Sequence, residues 1–561
     1  MLALALQLLP WASGRGQDQA ACEGLVVRRV QVESRRPEFR GALAWWRKAA
    51  RAVGLHNERT ADGVVRRFVT LNPGQPCTAF RLSETERILR AQPFIADAVV
   101  TTQPFGDSVD VHVSTIDEVP VVAALRLRGV SPQAASFGTM NLFGTGTHVE
   151  GRWENGRALR TGFGGRVAHP QLLGRPYALA LEGMRRPLGE YWAVSLSHPF
   201  FTDLQRVAWH TGYWVSKDYS PLRTPDDRLL VQPVDRAMWH AGGVVRIGPP
   251  RKLGLVGGMI LGDDLATRSN IGVIDSTGRL ALATDTAGIQ VYPTLHQTHV
   301  AGVVGLRALR FARVRGLDAL EAEQDVATGA QVGAILGVRP SLENTFDNSF
   351  AAVDFYMAGR TQRQFAALRL EAQSRFDLDR SDWEHLVASG RAAWYVQPRP
   401  RWVSELSLEG GGVWRSLLPF QIELGDRRSG VRGYAGSHEP GAQRLVARIE
   451  QRLDLARYQG TRAAIGGAGF VDAGRVWSGD APFGVTTPVR GSAGVALLAA
   501  VPARSRRTLR AEVALPFDRT RGAGPELRFV VSQPTLGFWS EPPRIRWARL
   551  SAVPEQIFSW P

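Results

Sequence analysis

The sequence is poor in lysine, cysteine and long apolar runs, and each shortage excludes a class of protein. Of its 68 basic residues only Lys48, Lys217 and Lys252 are lysines, and the arginines are spread along the whole chain. The net charge is +16, but a nucleic-acid interface would cluster its basic residues on one element, so this class is disfavoured. Either an arginine-rich proteome or a surface facing anionic lipopolysaccharide explains the excess of arginine.

Motifs for catalysis and for metal binding are missing as well. There is no GxSxG, Walker, HExxH or dinucleotide-binding pattern, so we expect no enzyme activity, no cofactor and no metal. His296 and His299 have a metal-like spacing, but residues three apart on a strand face opposite sides, which predicts two surface histidines. The adjacent pair Asp263 and Asp264 in a GDD sequence indicates a turn.

Two cysteines, Cys22 and Cys77, are too few for a disulfide framework and form no CxxC pair. A disulfide between them is compatible with an oxidising compartment, although spacing alone does not determine it. Residues 2–9 are apolar and small residues follow, which predicts a signal peptide over residues 1–21. We favour it over a lipid anchor at Cys22 because Gln19 is not aliphatic; a disordered tail remains the alternative.

No internal run approaches the roughly 18 apolar residues that a membrane-spanning helix needs. A membrane protein without such a run must be a closed β-barrel, because unpaired strand edges are not tolerated in lipid. The apolar fraction of 44% excludes a disordered chain, and the 16 tryptophans are typical of membrane interfaces.

Residues 22–120 have the pattern of a small α+β domain. A strand near residue 26 is followed by a helix capped by Thr60, and then by a helix begun by a capping box of Ser83 and Glu86. Two further strands, with alternating valines in the second, pair across a PFGD turn. An additional segment, 35–58, interrupts this order, and the spacing of Leu43, Trp46 and Ala50 within it predicts one more helix.

From residue 121 to residue 538 the chain alternates short strands with turns. His169-Pro170 and His198-Pro199 each end one strand before another begins, which indicates a meander of hairpins. Within residues 444–455, leucine, isoleucine and alanine occupy one side, while arginine, glutamate and aspartate occupy the other, and Gln451 is the one polar residue on the apolar side. This alternation predicts a wall between lipid and a watery lumen.

Two glycine-rich sequences flank that strand, VRGY with Arg432 and GFVDAG with Asp472. Here the sequence resembles the BamA/TamA superfamily of outer-membrane assembly barrels, also called the bacterial surface antigen family. The resemblance implies that an extracellular loop folds into the lumen and that Glu450 and Asp472 hold Arg432. We call these three residues the predicted lock. A guanidinium away from bulk water needs such paired carboxylates; the alternative is a tight turn with surface ion pairs.

The same resemblance assigns three further groups of residues. These are the loop motif Val431, Gly433 and Tyr434, the strand motif Gly469, Phe470 and Gly474, and an early barrel turn with Asn141, Gly144 and Gly146. Residues 22–120 resemble a single periplasmic POTRA (polypeptide-transport-associated) domain. Residues 121–538 would form a sixteen-stranded antiparallel barrel that ends near Phe538, followed by a tail over residues 539–561.

Five strands are predicted after VRGY, at about 442–455, 461–477, 489–501, 507–517 and 526–534. Pro534 and Gly537 are compatible with a weak seam between the first and last strands, which would receive client strands. The implied function is the insertion of other barrel proteins, or polypeptide passage, at the outer membrane of a Gram-negative-type bacterium. The implied partners are outer-membrane lipids, unfolded client proteins and periplasmic or lipoprotein accessory subunits. The alternatives are a passive porin-like or surface-antigen barrel and a soluble secreted β-protein.

Overall fold

The computed structural model describes residues 22–37 and 59–549, apart from 129–130, 157, 225, 276, 285, 287–288, 341–347, 379, 427–428, 459–462, 519, 521 and 533–538. The predicted signal peptide, most of the segment 35–58 and residues 550–561 therefore lie outside the described residues. The same is true of Pro534, Gly537 and Phe538.

The N-terminal part is an α+β domain with the predicted order strand, helix, helix, strand, strand. Its elements are β1 (Val26–Arg35), α1 (Asp62–Arg66), α2 (Ala79–Ala91), β2 (Ile95–Phe105) and β3 (Ser108–Asp117). The sheet order is β1-β3-β2, with β1 parallel and β2 antiparallel to β3, so β1 and β2 are its edges. A disulfide joins Cys22 to Cys77. Among the described residues, no helix has the length and apolar character needed to cross a membrane.

Both predicted helix caps are wrong. The Thr60 hydroxyl donates to the Asp117 carboxylate over 2.8 Å and does not cap α1. Ser83 lies inside α2, which instead begins after Thr78, and Glu86 accepts a hydrogen bond from the backbone of β2. Thr60 and Glu86 thus bind partners that are distant in sequence, and Ser83 donates to the carbonyl of Phe80 within α2.

Most of the remaining chain forms an antiparallel barrel of about 20 strands in the described residues, so the predicted count of sixteen is wrong. The strands follow one another around the wall, and the last lies beside the first. They are β4 (Val121–Arg128), β5 (Ser131–Leu142), β6 (Thr147–Glu154), β7 (Gly162–His169), β8 (Ala178–Arg185), β9 (Glu190–His198), β10 (Val207–Arg223), β11 (Leu229–Ile247), β12 (Leu253–Thr267), β15 (Leu295–Arg315), β16 (Glu323–Val338), β17 (Asn348–Arg360), β18 (Gln364–Asp377), β19 (Asp382–Arg399), β20 (Trp402–Trp414), β23 (Gln443–Tyr458), β24 (Ala463–Trp477), β25 (Arg490–Ala500), β26 (Thr508–Pro516) and β27 (Glu526–Ser532).

Short elements decorate this wall. A hairpin of β13 (Gly272–Ile274) and β14 (Leu280–Leu282) lies between β12 and β15, and a 3₁₀ turn (Leu172–Gly174) follows β7. The loop after β20 contains a two-stranded ladder of β21 (Ile422–Glu423) and β22 (Pro440–Gly441). A helix, α3 (Pro543–Ala548), follows the barrel.

The two faces of the wall differ as the alternation predicted. On β23 the side chain of Ile449 is 60% exposed on the outside, whereas Arg444 and Glu450 are buried toward the lumen. Exposed leucine, isoleucine, valine, phenylalanine and tryptophan side chains continue this outer apolar face over most other strands. An apolar outside around a charged inside is the pattern of a barrel that contacts lipid.

The turns were predicted with mixed success. His169 and His198 end β7 and β9, so the predicted His-Pro boundaries are confirmed. Asp263 and Asp264 lie within β12, so the predicted turn is wrong.

The two histidines that were predicted to lie on the surface differ in exposure. His296 is exposed, as predicted, whereas His299 is buried toward the lumen, so the prediction is wrong for His299.

The α+β domain packs against one end of the barrel, which we call the domain end; we call the opposite end the loop end. Helix α2 lies at the barrel mouth, where Arg90 donates two hydrogen bonds of 2.8 Å to the carboxylate of Asp325 on β16. Arg504, in the turn between β25 and β26, donates to Asp97 over 2.7 Å. Buried and half-buried ion pairs thus fix the domain across the mouth.

Candidate lumenal loop site

The segment 415–442, which contains VRGY and which we call the VRGY loop, leaves β20 at the loop end and folds back into the lumen. Leu424, Val431 and Tyr434 are fully buried there, and they pack against Val446 on β23 and Val476 on β24. The ladder of β21 and β22 closes the base of the loop. Apolar contacts with the wall thus place the VRGY sequence beside the inner faces of β23 to β27.

Arg432 is 6% exposed and makes its closest contacts with Asp472 on β24. Its Nε and Nη2 atoms each donate to a different oxygen of that carboxylate, both over 2.7 Å. The Cζ atom lies 3.4 Å from the centre of the Phe470 ring. A two-pronged ion pair over an aromatic face is the arrangement that suits a guanidinium rather than an ammonium group.

The other carboxylates at this site differ in their distance from Arg432. Its Nη1 atom donates to Glu512 on β26 over 3.0 Å, whereas Glu450 on β23 lies 3.5 Å from the same atom. Glu450 is bound instead by Arg510, which donates to both of its oxygens over 2.8 and 2.7 Å. Arg510 also donates to Glu512 over 2.6 Å. We call these five residues, Arg432, Glu450, Asp472, Arg510 and Glu512, the Arg432 cluster.

The predicted lock of Arg432, Glu450 and Asp472 did not include Glu512 or Arg510. The alternating sequence of 507–517 places both on the lumenal face of a strand, and this was the available signal. Alternation gives the face of a residue but not its partner across the lumen, so the contact with Arg432 could not be predicted.

Electrostatically the cluster holds Arg432 in its charged form. Burial lowers the pKa of the guanidinium, but hydrogen bonds and charges from Asp472, Glu512 and Glu450 outweigh it and raise that pKa above the ordinary value. Because the carboxylates compensate its charge, Arg432 can remain ionised in a buried position. In the described part of the chain, no group of three or more His, Cys, Asp or Glu side chains could hold a metal ion.

Two predicted glycines lie where the loop approaches the wall closely. Gly433 has a φ of +87°, and a Cβ atom on it would lie 3.1 Å from the ring of Pro516. A Cβ atom on Gly474 would lie 2.6 Å from Val431 Cγ2. Gly469, by contrast, has nothing within 4 Å of the equivalent position. Gly433 and Gly474 therefore permit the approach of the loop, and Gly469 does not take part in it.

The wall also binds two backbone groups of the loop and the Tyr434 hydroxyl. The Gly433 amide donates to Glu526 on β27 over 2.8 Å, and the Tyr434 hydroxyl donates to the carbonyl of Gly491 on β25 over 2.9 Å. Arg448 on β23 donates to the carbonyl of Gly430 over 2.6 Å. With the contacts of the Arg432 cluster, the loop is bonded to every strand from β23 to β27.

The predicted early turn lies at the domain end, apart from the VRGY loop. Asn141 accepts a hydrogen bond from the Gly146 amide over 2.7 Å and donates to Thr60 over 2.8 Å. The Gly144 carbonyl accepts one from the Ala61 amide over 2.9 Å. The bonds to Thr60 and Ala61 connect the hairpin of β5 and β6 to the α+β domain.

Asp117 accepts bonds from Thr60 and Ser34 next to this turn. Burial raises the pKa of Asp117 above its ordinary value, although its hydrogen bonds oppose that rise. The junction between domain and barrel thus contains a buried carboxyl group.

No known family model matches the chain, and no curated protein matches it in sequence. Similar solved structures include BamA from Haemophilus ducreyi lacking POTRA domains 1–3, with 15% identity, coverage of 90% of this chain and 83% of that one, and a TM-score of 0.40. CdiB from Escherichia coli has 10% identity, coverage of 91% and 76%, and a TM-score of 0.47. CdiB from Acinetobacter baumannii has 8% identity, coverage of 85% and 74%, and a TM-score of 0.34. BamA is the type of barrel that the motif resemblance led us to expect.

Proposed function

We propose that this protein is an outer-membrane barrel that inserts other barrel proteins into the membrane or passes polypeptide across it. The observation that carries the proposal is the loop 415–442, which is folded into the lumen and bonded through Arg432 to carboxylates on β24 and β26. A loop bonded in this way braces β23 to β27 from the inside. A brace of this kind suits a barrel in which neighbouring strands must lose their pairing locally, to receive a client strand, and then pair again.

The α+β domain supports the same proposal. We assign it the role of a POTRA domain in the periplasm, where β1 and β2 are the edges of its sheet. An edge strand offers unpaired backbone groups, and an extended client segment can bind to it by adding one more strand. Its position at the barrel mouth would deliver such a segment to the wall.

The alternative of a passive porin-like or surface-antigen barrel is less well supported. Within the described residues, the lumen contains the loop 415–442 and helix α3, and α2 lies at the mouth. A passive pore needs an open path for solutes, whereas an insertion barrel does its work at the wall and needs none.

Reconstituted vesicles test the proposal directly. An unfolded outer-membrane barrel protein should become heat-modifiable and protease-resistant several-fold faster with this protein than in empty vesicles. Arg432→Ala should abolish the acceleration, and Arg268→Ala, which removes an exposed ion pair with Asp235, should retain it. Equal rates for wild type and Arg432→Ala, with both barrels folded, would contradict the bracing role.

Depletion in cells separates the proposal from its alternative. Loss of an insertion barrel should lower the amounts of many outer-membrane proteins. Loss of a passive pore should change only the permeability of the membrane.

A further inference from the structure

The segment 539–549 lies inside the barrel and binds the inner wall. Trp539 Nε1 donates to Glu409 on β20 over 3.3 Å. The Ser389 hydroxyl on β19 donates to Glu541, whose two oxygens also accept hydrogen bonds of 2.8 and 2.6 Å from Arg549. Glu541 is 4% exposed, so a buried carboxylate with three donors holds the start of the segment.

Helix α3 fills an apolar groove between the wall and the loop 415–442. Ile545 and Ala548 are one turn apart and both are buried, 1% and 0% exposed. Their neighbours come from the wall and from the loop: Val234, Leu265, Val387, Val413, Leu418, Phe420 and Ile422. Spacing of three residues puts both side chains on one helix face, so α3 presents an apolar face that matches the groove.

The groove ends in a polar socket for the last carbonyl groups of the segment. Arg236 on β11 donates to the carbonyl of Trp547 over 2.6 Å and to that of Arg549. His385 on β19 donates from Nε2 to the carbonyl of Ala548 over 2.7 Å. The last carbonyl groups of a helix have no partners within the helix, and that end carries partial negative charge. An arginine is therefore well suited to bind these carbonyl groups.

His385 connects the segment to the VRGY loop. Its Nδ1 atom accepts a hydrogen bond of 3.1 Å from the backbone amide of Leu417, while Nε2 binds Ala548. Arg544 on α3 donates to the carbonyl of Gln421 in the same loop over 3.1 Å. The segment thus lies between the wall and the loop and contacts both.

We infer that the lumen contains a peptide-binding site, that its resident ligand is the chain's own segment 539–549, and that the occupied site closes the lumen as a plug. The ligand class is a short peptide with an acidic start, an apolar helical face and free carbonyl groups at its end. The inference concerns occupancy of the lumen and does not depend on the proposed insertion activity.

Truncation after residue 538 tests the plug. In planar lipid bilayers the truncated barrel should conduct ions several-fold more than the wild type, provided that heat-modifiable migration shows it to be folded. A synthetic peptide of residues 539–549 should return the current to the wild-type level, and the same peptide with Ile545→Asp should not. An unchanged current in the folded truncated barrel overturns the plug, and failure of the wild-type peptide to restore the block overturns the binding site.

A full-length variant tests the inference without removing chain. Ile545→Asp places a charge in the apolar groove and should raise the current several-fold. Arg546→Ala changes an exposed residue of the same helix and should leave the current unchanged. Equal currents for both variants and the wild type would overturn the inference. All of these measurements can succeed whether or not the barrel assembles client proteins.

Discussion

At the scale of single residues, the Arg432 guanidinium is a buried charge that neighbouring carboxylates compensate. It is bound on one side by Asp472 and on another by Glu512, and it lies against Phe470. Removing one partner of a buried ion pair leaves the other charge uncompensated, which typically costs more than the intact pair contributes. We therefore expect an Arg432 substitution to lower stability because the carboxylate charge that Arg432 neutralises would remain buried.

We expect Arg432→Ala to lower the free energy of unfolding by about 3–5 kcal/mol, because Asp472 would remain buried without its two hydrogen bonds of 2.7 Å from the guanidinium. Arg432→Lys should keep the charge but lose the two-pronged bond, at about 1.5–3 kcal/mol. Denaturant unfolding of the barrel in lipid vesicles measures both. A lysine variant as unstable as the alanine variant would show that the geometry, and not the charge, holds the loop.

The three carboxylates should differ in their coupling to Arg432. Double-mutant cycles should give the largest coupling for Asp472, a smaller one for Glu512 and the smallest for Glu450, because the closest distances are 2.7, 3.0 and 3.5 Å. Unfolding free energies of the single and double alanine variants supply the cycle. The motif resemblance alone would rank Glu450 with Asp472, so a large coupling to Glu450 would favour that ranking over the observed geometry.

At the scale of elements, the loop reaches its place because the wall leaves room for it. Gly474→Ala would put a methyl group 2.6 Å from Val431 Cγ2 and 2.9 Å from the Leu445 carbonyl, so the loop must shift. We expect a loss of about 1–3 kcal/mol, as for other overpacked sites, and faster trypsin cleavage within the loop. Gly469→Ala, on the same strand with open space around it, is the matched control and should match the wild type. Equal cleavage of the two variants would mean that the close approach does not hold the loop.

Strands were easier to predict than their partners. For the five strands after VRGY, each predicted end lies within about three residues of the observed end. Alternating side chains mark a strand regardless of its neighbours, which is why these bounds could be predicted. The total number of strands was wrong because it came from the family resemblance and not from the alternation itself. Asp263 shows the same limit, since its buried neighbours Arg236 and Arg375 come from β11 and β18 and are invisible in a local GDD sequence.

At the scale of the whole molecule, the described residues close the barrel from three directions. The VRGY loop enters from the loop end, α3 lies between that loop and the wall, and the α+β domain covers the mouth at the domain end. The family resemblance implied the first. The sequence pattern assigned the third to a separate domain without its contacts, and it left the place of the tail, residues 539–561, open. Contacts between distant segments decide all three, which is why local patterns could not place them together.

The docking of the α+β domain depends on Arg90, whose side chain is 2% exposed and bonded twice to Asp325. Arg90→Ala would leave the half-buried Asp325 without this partner, so the domain should separate from the mouth more often, at a cost of about 3–5 kcal/mol. Hydrogen exchange of the amides in α2 should then be faster in the full-length protein. Arg59→Ala, which removes an exposed ion pair with Asp62, should leave that exchange unchanged. If exchange in α2 were the same in both variants, the contact of Arg90 with Asp325 would not hold the domain. Its position would then have to depend on the remaining contacts, which include the ion pair of Arg504 with Asp97 and the hydrogen bonds of the early turn.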